Sequence, residues 1–295
     1  DVTMMARNSH YDFIKSNGLV LTDELSGERF TAKIKVTDTL NSSDKFDLVL
    51  VTMRKNHQKT IFPVLASNPG IRHILFIGNN VAGFDSYFNA LPKEKLLFGF
   101  GRAGGGRINH VIHFVDREKI SHQRMSLMLG EPDGQIKKRT REIIRILEKA
   151  EIPVRWTGNM DGWLKYHLAL VLPLCGMLLK HQGDNYMLAD SPEDLKFCLH
   201  AYREMGGILK QLGYQPPSFQ ERLFFWIPTF MFVPVFKKIL RTKFAEIAFA
   251  MHAKAAADEF AGHLAEFKQL ARAVGRSTPL MDQLDACFNP DDLPV

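Results

Sequence analysis

Residues 46–54 read FDLVLVTMR, and this stretch decides the fold. A continuous apolar run of this kind is typical of a parallel strand that is buried on both faces. Two more apolar runs follow, at residues 74–77 and 96–100, and the segment 57–66 between the first two has a helical pattern. Strands that alternate with helices predict a parallel sheet with right-handed crossovers, which is a doubly wound α/β domain.

Weaker patterns extend this prediction in both directions along the chain. They predict a strand at 2–5, a helix at 10–18 ending at Gly18, antiparallel strands at 110–115 and 126–129 that cover a sheet edge, an amphipathic helix at 137–150 and a last strand at 152–154. After Gly162 the pattern is only helical, with helices expected at 163–179, 192–212, 220–236 and 243–274. The sequence therefore predicts a doubly wound α/β domain over residues 1–158 and an all-helical domain over 159–295.

Composition excludes several classes of protein. With 45% hydrophobic and 24% charged residues among 295, the chain has enough apolar surface to fold, so a disordered protein is excluded. The net charge of +6 comes from scattered residues and fits an anionic substrate or cofactor. The sequence contains no platform of aromatic and basic residues, so nothing in it indicates a nucleic-acid partner. Three cysteines without a CxxC motif favour a reducing, cytoplasmic location and no structural zinc, and the histidines show no metal-ligand spacing.

Two segments of the chain are unusual. The sequence begins with Asp1 in a strand-like run, so we expect preceding residues, including the first strand, to be missing. Residues 223–236 (LFFWIPTFMFVPVF) are uncharged, but they are too short for a membrane span and contain two prolines. We interpret them as a buried helix–turn–helix or a lid over a pocket, with a dimer contact or a peripheral membrane contact as alternatives.

Four features could carry chemistry. The string GxGxxG occurs at residues 99–104. A dinucleotide-binding motif would open a helix, but β-prone residues follow this string. Gly104 and Gly105 are therefore expected only to lie beside a ligand. Arg7 follows the first visible strand, at 2–5. At the end of the second strand of a Rossmann sheet an arginine suits the 2′-phosphate of NADP, although an ordinary surface arginine fits as well. Lys165 lies in an apolar helix, where it is either functional or extended toward solvent, and Glu259 equally fits a solvated helix face.

Taken together, these segments resemble the ketopantoate reductase (2-dehydropantoate 2-reductase) family. The resemblance is carried by residues 2–7, 46–54 and 76–80, the loop 99–107, the turn 130–134, Trp163-Leu164-Lys165, and the stretch from Asp258-Glu259 through Gly275 to Pro279. It implies an NADP-binding Rossmann-type domain over residues 1–158, incomplete at its N-terminus. A helical substrate or dimerisation domain like that of 6-phosphogluconate dehydrogenase would follow over 159–295, with the active site between the two. It also implies that the phosphate-binding glycines precede Asp1.

The resemblance further implies NADPH-dependent reduction of a 2-keto acid. Lys165 then matches the general acid and Glu259 the residue that contacts the substrate. The expected cofactor contacts are Arg7, Thr52, Met53, Arg54, Lys55, Asn79, Asn80, Gly104 and Gly105, with no metal. Either Arg54 or Lys55 matches the cofactor lysine of the family.

Three departures from the family pattern bear on the substrate. Ala169 and Pro173 occupy places where the family has asparagine, and Ile247 occupies the place of a serine. Losing these hydrogen-bonding groups should select against the hydroxylated substrate ketopantoate. We therefore expect a different small keto acid or carbonyl substrate. The alternative is a non-catalytic nucleotide-binding sensor or assembly protein of the same fold.

Overall fold

The computed structural model describes residues 1–101, 104–115 and 126–288. Its strands, in chain order, are β1 (Thr3–Met5), β2 (Leu19–Asp23), β3 (Arg29–Ala32), β4 (Lys35–Thr37), β5 (Phe46–Val51), β6 (Ile71–Ile77), β7 (Leu96–Phe100), β8 (Gly105–Ile108), β9 (Val111–Phe114), β10 (Leu127–Gly130) and β11 (Val154–Trp156). The longer apolar runs in the sequence thus form strands within one to three residues of their predicted ends.

The helices follow the same numbering along the chain. They are α1 (Asn8–Asn17), α2 (Lys55–Gln58), α3 (Phe62–Ala66), α4 (Asp85–Phe88), α5 (Lys138–Lys149), α6 (Met160–Lys180), α7 (Asn185–Ala189), α8 (Pro192–Gln211), α9 (Phe219–Leu223), α10 (Thr229–Leu240), α11 (Lys243–Ala245), α12 (Met251–Ala255), α13 (Ala257–Ala273) and α14 (Pro279–Asp285). Short 3₁₀ turns lie at Lys59–Ile61, Lys93–Lys95 and Ala286–Phe288, and Glu246–Ala250 is a π-helical turn.

The central sheet has the strand order β11-β10-β7-β6-β5, and β5, β6 and β7 run parallel. Its middle strands are covered on both faces. Ile74 and Phe76 pack toward one side, while Leu75 and Leu97 pack with α5 on the other. Helices on both faces of a mainly parallel sheet confirm the predicted α/β fold class.

The strand β5 differs from its prediction. It was expected to be buried on both faces, yet Asp47 and Leu50 are exposed. The reason is position, because in the described part of the chain β5 pairs only with β6 and forms the edge of its sheet. A continuous apolar run therefore identified the strand correctly but not its place in the sheet.

Two smaller sheets complete the N-terminal half, and both contain strands that the sequence analysis missed. One has the order β3-β2-β9-β8, and the other joins β1 to β4 in parallel. Of the two strands predicted to be antiparallel at a sheet edge, the one at 126–129 does run antiparallel to its neighbour, whereas the one at 110–115 lies in a different sheet. Strand β9 pairs with β2 and β8, whereas β10 enters the central sheet antiparallel to β7.

From Met160 to Phe288 the chain is helical, as predicted, and these helices share one large apolar core. The change from strands to helices falls between Trp156 and Met160. The division into two domains at residue 158 stays a prediction. The α6 helix is long and apolar enough to cross a membrane by length and composition, but 78% of its most apolar window is buried inside the protein.

Two of the predicted helices are interrupted. The segment 220–236 divides into α9 and α10, because Pro228 precedes the first turn of α10. The segment 243–274 divides at the π-helical turn and again at Ala256, whose extended φ of −128° ends α12. The predicted stop at Gly275 is present, with a φ of +64° that favours glycine.

The interpretation of residues 223–236 as a buried helix–turn–helix is wrong for much of their surface, whereas a lid over a pocket stays a prediction. Trp226 is 80% exposed and Phe230 is 75% exposed. The reason is that α10 is apolar around its whole circumference. Phe232 and Leu240 pack inward, while the opposite side of the helix faces outward.

Candidate active site

Lys165 lies at the beginning of the α6 helix. The Asn159 side chain caps this helix by accepting the Gly162 N–H at 2.9 Å. Lys165 follows one turn later and is only 2% exposed. Its ammonium contacts the Asp161 carboxylate on the preceding turn and lies 4.9 Å from the centre of the Tyr214 ring. The Tyr214 hydroxyl donates to the other Asp161 oxygen at 2.6 Å, so the lysine and its partner are both held in place.

Burial lowers the pKa of the Lys165 ammonium below the ordinary lysine value. The Asp161 carboxylate opposes this effect by favouring the charged form. The net lowering means that Lys165 gives up its proton more readily than a surface lysine does. This is the property that a general acid needs near neutral pH.

The loop after β6 lies against this lysine. A side-chain carbon added at Gly83, whose φ is +82°, would be 3.8 Å from the Lys165 Nζ atom. In the same loop the Asn80 amide donates to the Gly83 carbonyl at 2.7 Å. Asn79 and Asn80 are both buried, and within the described residues neither Oδ1 atom has a hydrogen-bond donor. Two unsatisfied amide oxygens therefore lie in the loop that reaches Lys165.

A second group of charges joins the loop after β5 to the α13 helix. The Lys55 backbone N–H donates to the Glu259 Oε1 atom at 2.9 Å. The Lys55 ammonium donates to both oxygens of Glu266 at 2.6 Å. His263 is buried between these two acids, with Nδ1 3.2 Å from the Glu266 Oε2 atom and Nε2 3.6 Å from the Glu259 Oε1 atom. The three α13 residues recur at helical spacing and therefore share one face of the helix.

These neighbours set the protonation of the second group. Burial raises the pKa of Glu259, but the His263 imidazole and the Lys55 N–H outweigh it, so the pKa is lowered overall. For Glu266, His263 and Lys55 likewise outweigh burial and lower the pKa. Burial lowers the pKa of the Lys55 ammonium despite its pairing with Glu266, and repulsion from Lys165 lowers it further. The Lys165 and Lys55 groups are thus close enough for their charges to interact.

Other predicted cofactor contacts lie around this site with partners from the chain. The Arg54 guanidinium contacts Asp258 and donates to the Ala255 carbonyl at 3.0 Å. The Met53 carbonyl accepts from the Gln58 amide at 2.8 Å, and Thr52 is exposed. Arg54 is thus directed to the beginning of α13, and its assignment to the cofactor stays a prediction.

Arg7 and the glycines lie elsewhere in the structure. Arg7 is exposed at the N-terminal end of α1. A side-chain carbon at Gly104 would lie 2.3 Å from the Ala248 Cβ atom, and one at Gly105 would lie 2.3 Å from the His113 carbonyl oxygen. Here the glycines allow protein segments to approach each other closely. The expected loop at Gly105 is the strand β8, and Arg102 and Ala103 of the GxGxxG string lie outside the described residues.

The sequence analysis missed four members of this site: Asp161, Tyr214, His263 and Glu266. His263 stood only among the histidines without metal-ligand spacing, yet its side chain is 1% exposed and lies between two carboxylates. The available signal was the spacing. Asp161 and Lys165 are four residues apart, and Glu259, His263 and Glu266 recur at four and three residues.

Comparisons with known proteins fit this geometry. Residues 1–126 match the family model described as ketopantoate reductase PanE/ApbA. A 2-dehydropantoate 2-reductase from Listeria monocytogenes is 32% identical over 103 residues, which are 34% of this chain and 34% of that enzyme. Residues 1–126 of the chain therefore resemble the ketopantoate reductase family. The resemblance predicted from the sequence is therefore confirmed, although the chain matches only about a third of the length of that curated relative.

Solved structures extend the likeness to nearly the whole fold. A 2-dehydropantoate 2-reductase from Geobacter metallireducens GS-15 aligns with a TM-score of 0.73 at 15% identity, covering 98% of this chain and 91% of that one. D-mandelate dehydrogenase, in a ternary structure with NADH and anilino(oxo)acetate, gives a TM-score of 0.73 at 11% identity, covering 98% and 90%. At these identities the comparison shows a shared fold.

Proposed function

We propose that this ketopantoate reductase-like protein is an NADPH-dependent reductase of a 2-keto acid, or of a related carbonyl compound, other than ketopantoate. The observation that carries the proposal is the buried Lys165 ammonium, whose pKa is lowered, beside the loop of Asn79 and Asn80. A buried charge is costly and persists where it is paired or functional.

The residues of the loop after β6 fit a nicotinamide cofactor. Buried amide oxygens normally accept a hydrogen bond, and the Asn79 and Asn80 oxygens have no donor within the described part of the chain. The carboxamide of nicotinamide brings N–H donors of the required kind. Thr52 and Met53, at the end of β5, and Arg7, beyond β1, are the further proposed contacts. When bound, the cofactor would supply the hydride.

Lys165 would supply the proton. An ammonium has three N–H donors, so one directed at Asp161 leaves others for the carbonyl oxygen of a substrate. As negative charge develops on that oxygen, the positively charged lysine stabilises it and then transfers a proton to it. Asp161 and Tyr214 would keep the ammonium in position, because a general acid must lie within hydrogen-bond reach of its acceptor.

Glu259 would bind the substrate, and the residues around Glu259 would keep its carboxylate charged and in position. The Lys55 N–H and the His263 imidazole favour its charged form. A charged carboxylate accepts strong hydrogen bonds from hydroxyl or amide groups, which suits a substrate contact. Lys55, His263 and Glu266 are then positioning residues, since they act through Glu259 and Lys165.

The proposed change of substrate rests on the apolar residues that replace the polar groups of the family. Ala169 is fully buried one turn after Lys165, and Ile247 is also buried. An apolar wall cannot pair with a substrate hydroxyl, so a hydroxylated keto acid should bind poorly there. D-mandelate dehydrogenase, with the same fold, is described with the oxo acid anilino(oxo)acetate, which suggests aromatic and aliphatic 2-oxo acids for testing.

The decisive experiment is an assay of NADPH and NADH oxidation at 340 nm by the purified protein with a panel of 2-oxo acids. We expect turnover with an apolar 2-oxo acid that exceeds turnover with ketopantoate. A nucleotide-binding sensor would instead bind NADPH, as measured by fluorescence titration, and oxidise it with no member of the panel. That second result would replace the reductase by the non-catalytic alternative.

Cofactor preference gives a separate test through Arg7. A charge-assisted contact with the 2′-phosphate should favour NADPH over NADH. We expect Arg7→Asp to weaken NADPH binding by about 1.5–3 kcal/mol and to leave NADH binding nearly unchanged. The matched control is Arg29→Asp, which removes another exposed arginine. Equal affinity of the unmodified protein for the two cofactors would contradict the role of Arg7.

We also propose that the protein works in a reducing compartment, the cytoplasm. Cys175, Cys198 and Cys287 are all free thiols. Burial raises the pKa of Cys287 and of the other two thiols, which keeps them protonated and unreactive. Unpaired structural cysteines are typical of reducing compartments.

A further inference from the structure

The strongest unexplained feature of the surface is an apolar area on α9 and α10. We call it the α9–α10 face, and it consists of Phe219, Leu223, Trp226, Phe230, Met231, Val235 and Ile239, all of them exposed. On α10, Met231, Val235 and Ile239 follow each other at intervals of four residues and form one line along the helix. The α7 helix, which contacts α10, adds exposed Tyr186 and Met187 beside this line.

This face is separate from the core. The inward side of α10 places Phe232 and Leu240 among buried residues, and Phe236 packs against the helical core. The outward side is therefore a second apolar surface that folding of the chain does not use. Single exposed apolar residues are normal on proteins, but a line of exposed apolar side chains along one helix, such as Met231, Val235 and Ile239 on α10, is typical of an interaction site.

We infer that the α9–α10 face is the surface through which two copies of this chain form a dimer. Three aromatic side chains, Phe219, Trp226 and Phe230, are each 75–80% exposed. At ~200 Å² for each fully exposed ring they present roughly 450 Å². A stable interface needs about 800 Å² from each partner, and the four aliphatic members and α7 extend the face toward that area.

The composition of the face also fits a second copy. Interface centres are rich in aromatic residues and methionine and poor in charged residues, and the seven members are all uncharged. In a two-fold dimer the same patch meets itself, so an apolar face is complementary to its own copy. Trp226, which is 80% exposed near the middle of the face in sequence, has the properties of an energetic hot spot.

The charges nearby favour a second copy over an anionic membrane. Four cations follow the apolar segment, and they would be the groups that bind lipid phosphates. Lys237 and Arg241 already pair with Asp190 at 2.8 and 2.5 Å, and Lys243 pairs with Glu246 at 2.6 Å. Internal pairing of three of the four reduces the attraction to anionic lipid.

The test is sedimentation equilibrium of the purified protein from nanomolar to micromolar concentration. We expect a dimer whose dissociation constant rises 30-fold or more in Trp226→Ala, because hot-spot truncations have effects of this size. Phe230→Ser is the second variant, and Ile146→Ala is the control, since Ile146 is exposed on the distant α5 helix. Circular dichroism confirms that each variant is folded.

Three outcomes would overturn the inference. The protein could remain a monomer at all concentrations. It could dimerise with an affinity that neither variant changes, which would place the interface elsewhere. It could be a monomer that sediments with phosphatidylcholine–phosphatidylglycerol vesicles and loses this binding in Trp226→Ala, which would make the face a membrane contact. None of these results depends on the proposed reductase activity.

Discussion

Two regions of this molecule reverse the usual distribution of polar and apolar groups. Between the sheet and the helices, Lys55, Lys165, Glu259, His263 and Glu266 form a buried or half-buried charged cluster. By contrast, the α9–α10 face exposes seven large apolar side chains to solvent. Both arrangements are unfavourable when isolated, since buried charges lose hydration and exposed apolar surface orders water.

The difference lies in the partners. Lys55 has Glu266, Lys165 has Asp161, and Glu259 has a backbone N–H, so the charged cluster is largely satisfied within one chain. The α9–α10 face has no comparable partner among the described residues. This difference agrees with the two proposals made above, in which the first region is a preorganised active site and the second is one half of a dimer contact. The experiments below test each side of this contrast.

The largest effect is expected for Lys165→Ala. As the general acid, Lys165 should contribute ~10²–10⁴-fold to turnover, so we expect kcat to fall 100-fold or more while NADPH affinity stays nearly unchanged. Steady-state kinetics and cofactor titration measure the two quantities. The control is Lys138→Ala, which removes a lysine whose side chain is 92% exposed. Retained turnover in Lys165→Ala would contradict the catalytic assignment.

A large loss of stability is expected for Glu266→Gln. This change keeps the shape of the side chain but leaves the Lys55 ammonium without its carboxylate beside Lys165. Breaking a buried ion pair is strongly destabilising, and with one partner a quarter exposed we expect a loss of about 2–3 kcal/mol in the free energy of unfolding. Urea denaturation measures it. The control is Glu193→Gln, whose exposed pair with Lys196 should contribute below about 0.5 kcal/mol.

The same variant carries a pH signature. The pKa of Glu266 in the folded protein is lowered from 4.5. Its stabilisation is therefore fully present above pH 4.5, the ordinary glutamate value, and is lost as the pH falls through the lower folded pKa. The difference between the unmodified protein and Glu266→Gln should shrink below pH 4.5. A difference that stays constant down to acid unfolding would mean that the charge of Glu266 is not what stabilises the fold.

The contrast between these two regions also explains how much of the fold and of the candidate site could be predicted from the sequence. The central strands β6 and β7 were predicted because burial on both faces makes them continuously apolar. Lys165 and Glu259 were candidates because the resemblance assigned them roles. Glu266 and His263 were missed, because charged residues at helical spacing indicate a solvated face unless another segment covers them. Here the loop at Lys55 covers that face, and only the tertiary structure reveals it.

The prediction of burial for the α9–α10 segment was wrong for the opposite reason. An uncharged run predicts burial, but a helix that is apolar all round has two faces, and the sequence does not say which one finds a partner in the same chain. Phe232 is buried against other parts of the chain, whereas Phe230 is exposed. Strand β5 shows the same effect within the sheet, since its neighbours in space and not its composition decide the exposure of Leu50.

A smaller effect on the charged cluster is expected for Asp161→Asn. Lys165 must be protonated to act, so turnover falls as the pH rises through its pKa. Because the Asp161 carboxylate raises that pKa, its removal should move the alkaline fall of kcat to lower pH. The control is Asp133→Asn, an exposed aspartate that pairs with Lys137. An alkaline fall that stays in place or moves to higher pH would contradict the coupling.

The smallest effect within a single chain is expected on the α9–α10 face. Phe230 is mostly exposed, so Phe230→Ser should change the unfolding free energy of the monomer by less than about 0.5 kcal/mol. Its effect should appear instead through association. Binding of a second folded copy stabilises both, so the melting temperature of the unmodified protein should rise with protein concentration. We expect Phe230→Ser to abolish this dependence while leaving the melting temperature at high dilution unchanged, as measured by calorimetry and by fluorescence. If the melting temperature of the variant were lower by the same amount at every protein concentration, Phe230 would stabilise the single chain. The contrast between the charged cluster, whose partners lie in the same chain, and the α9–α10 face, whose partner is a second copy, would then be wrong.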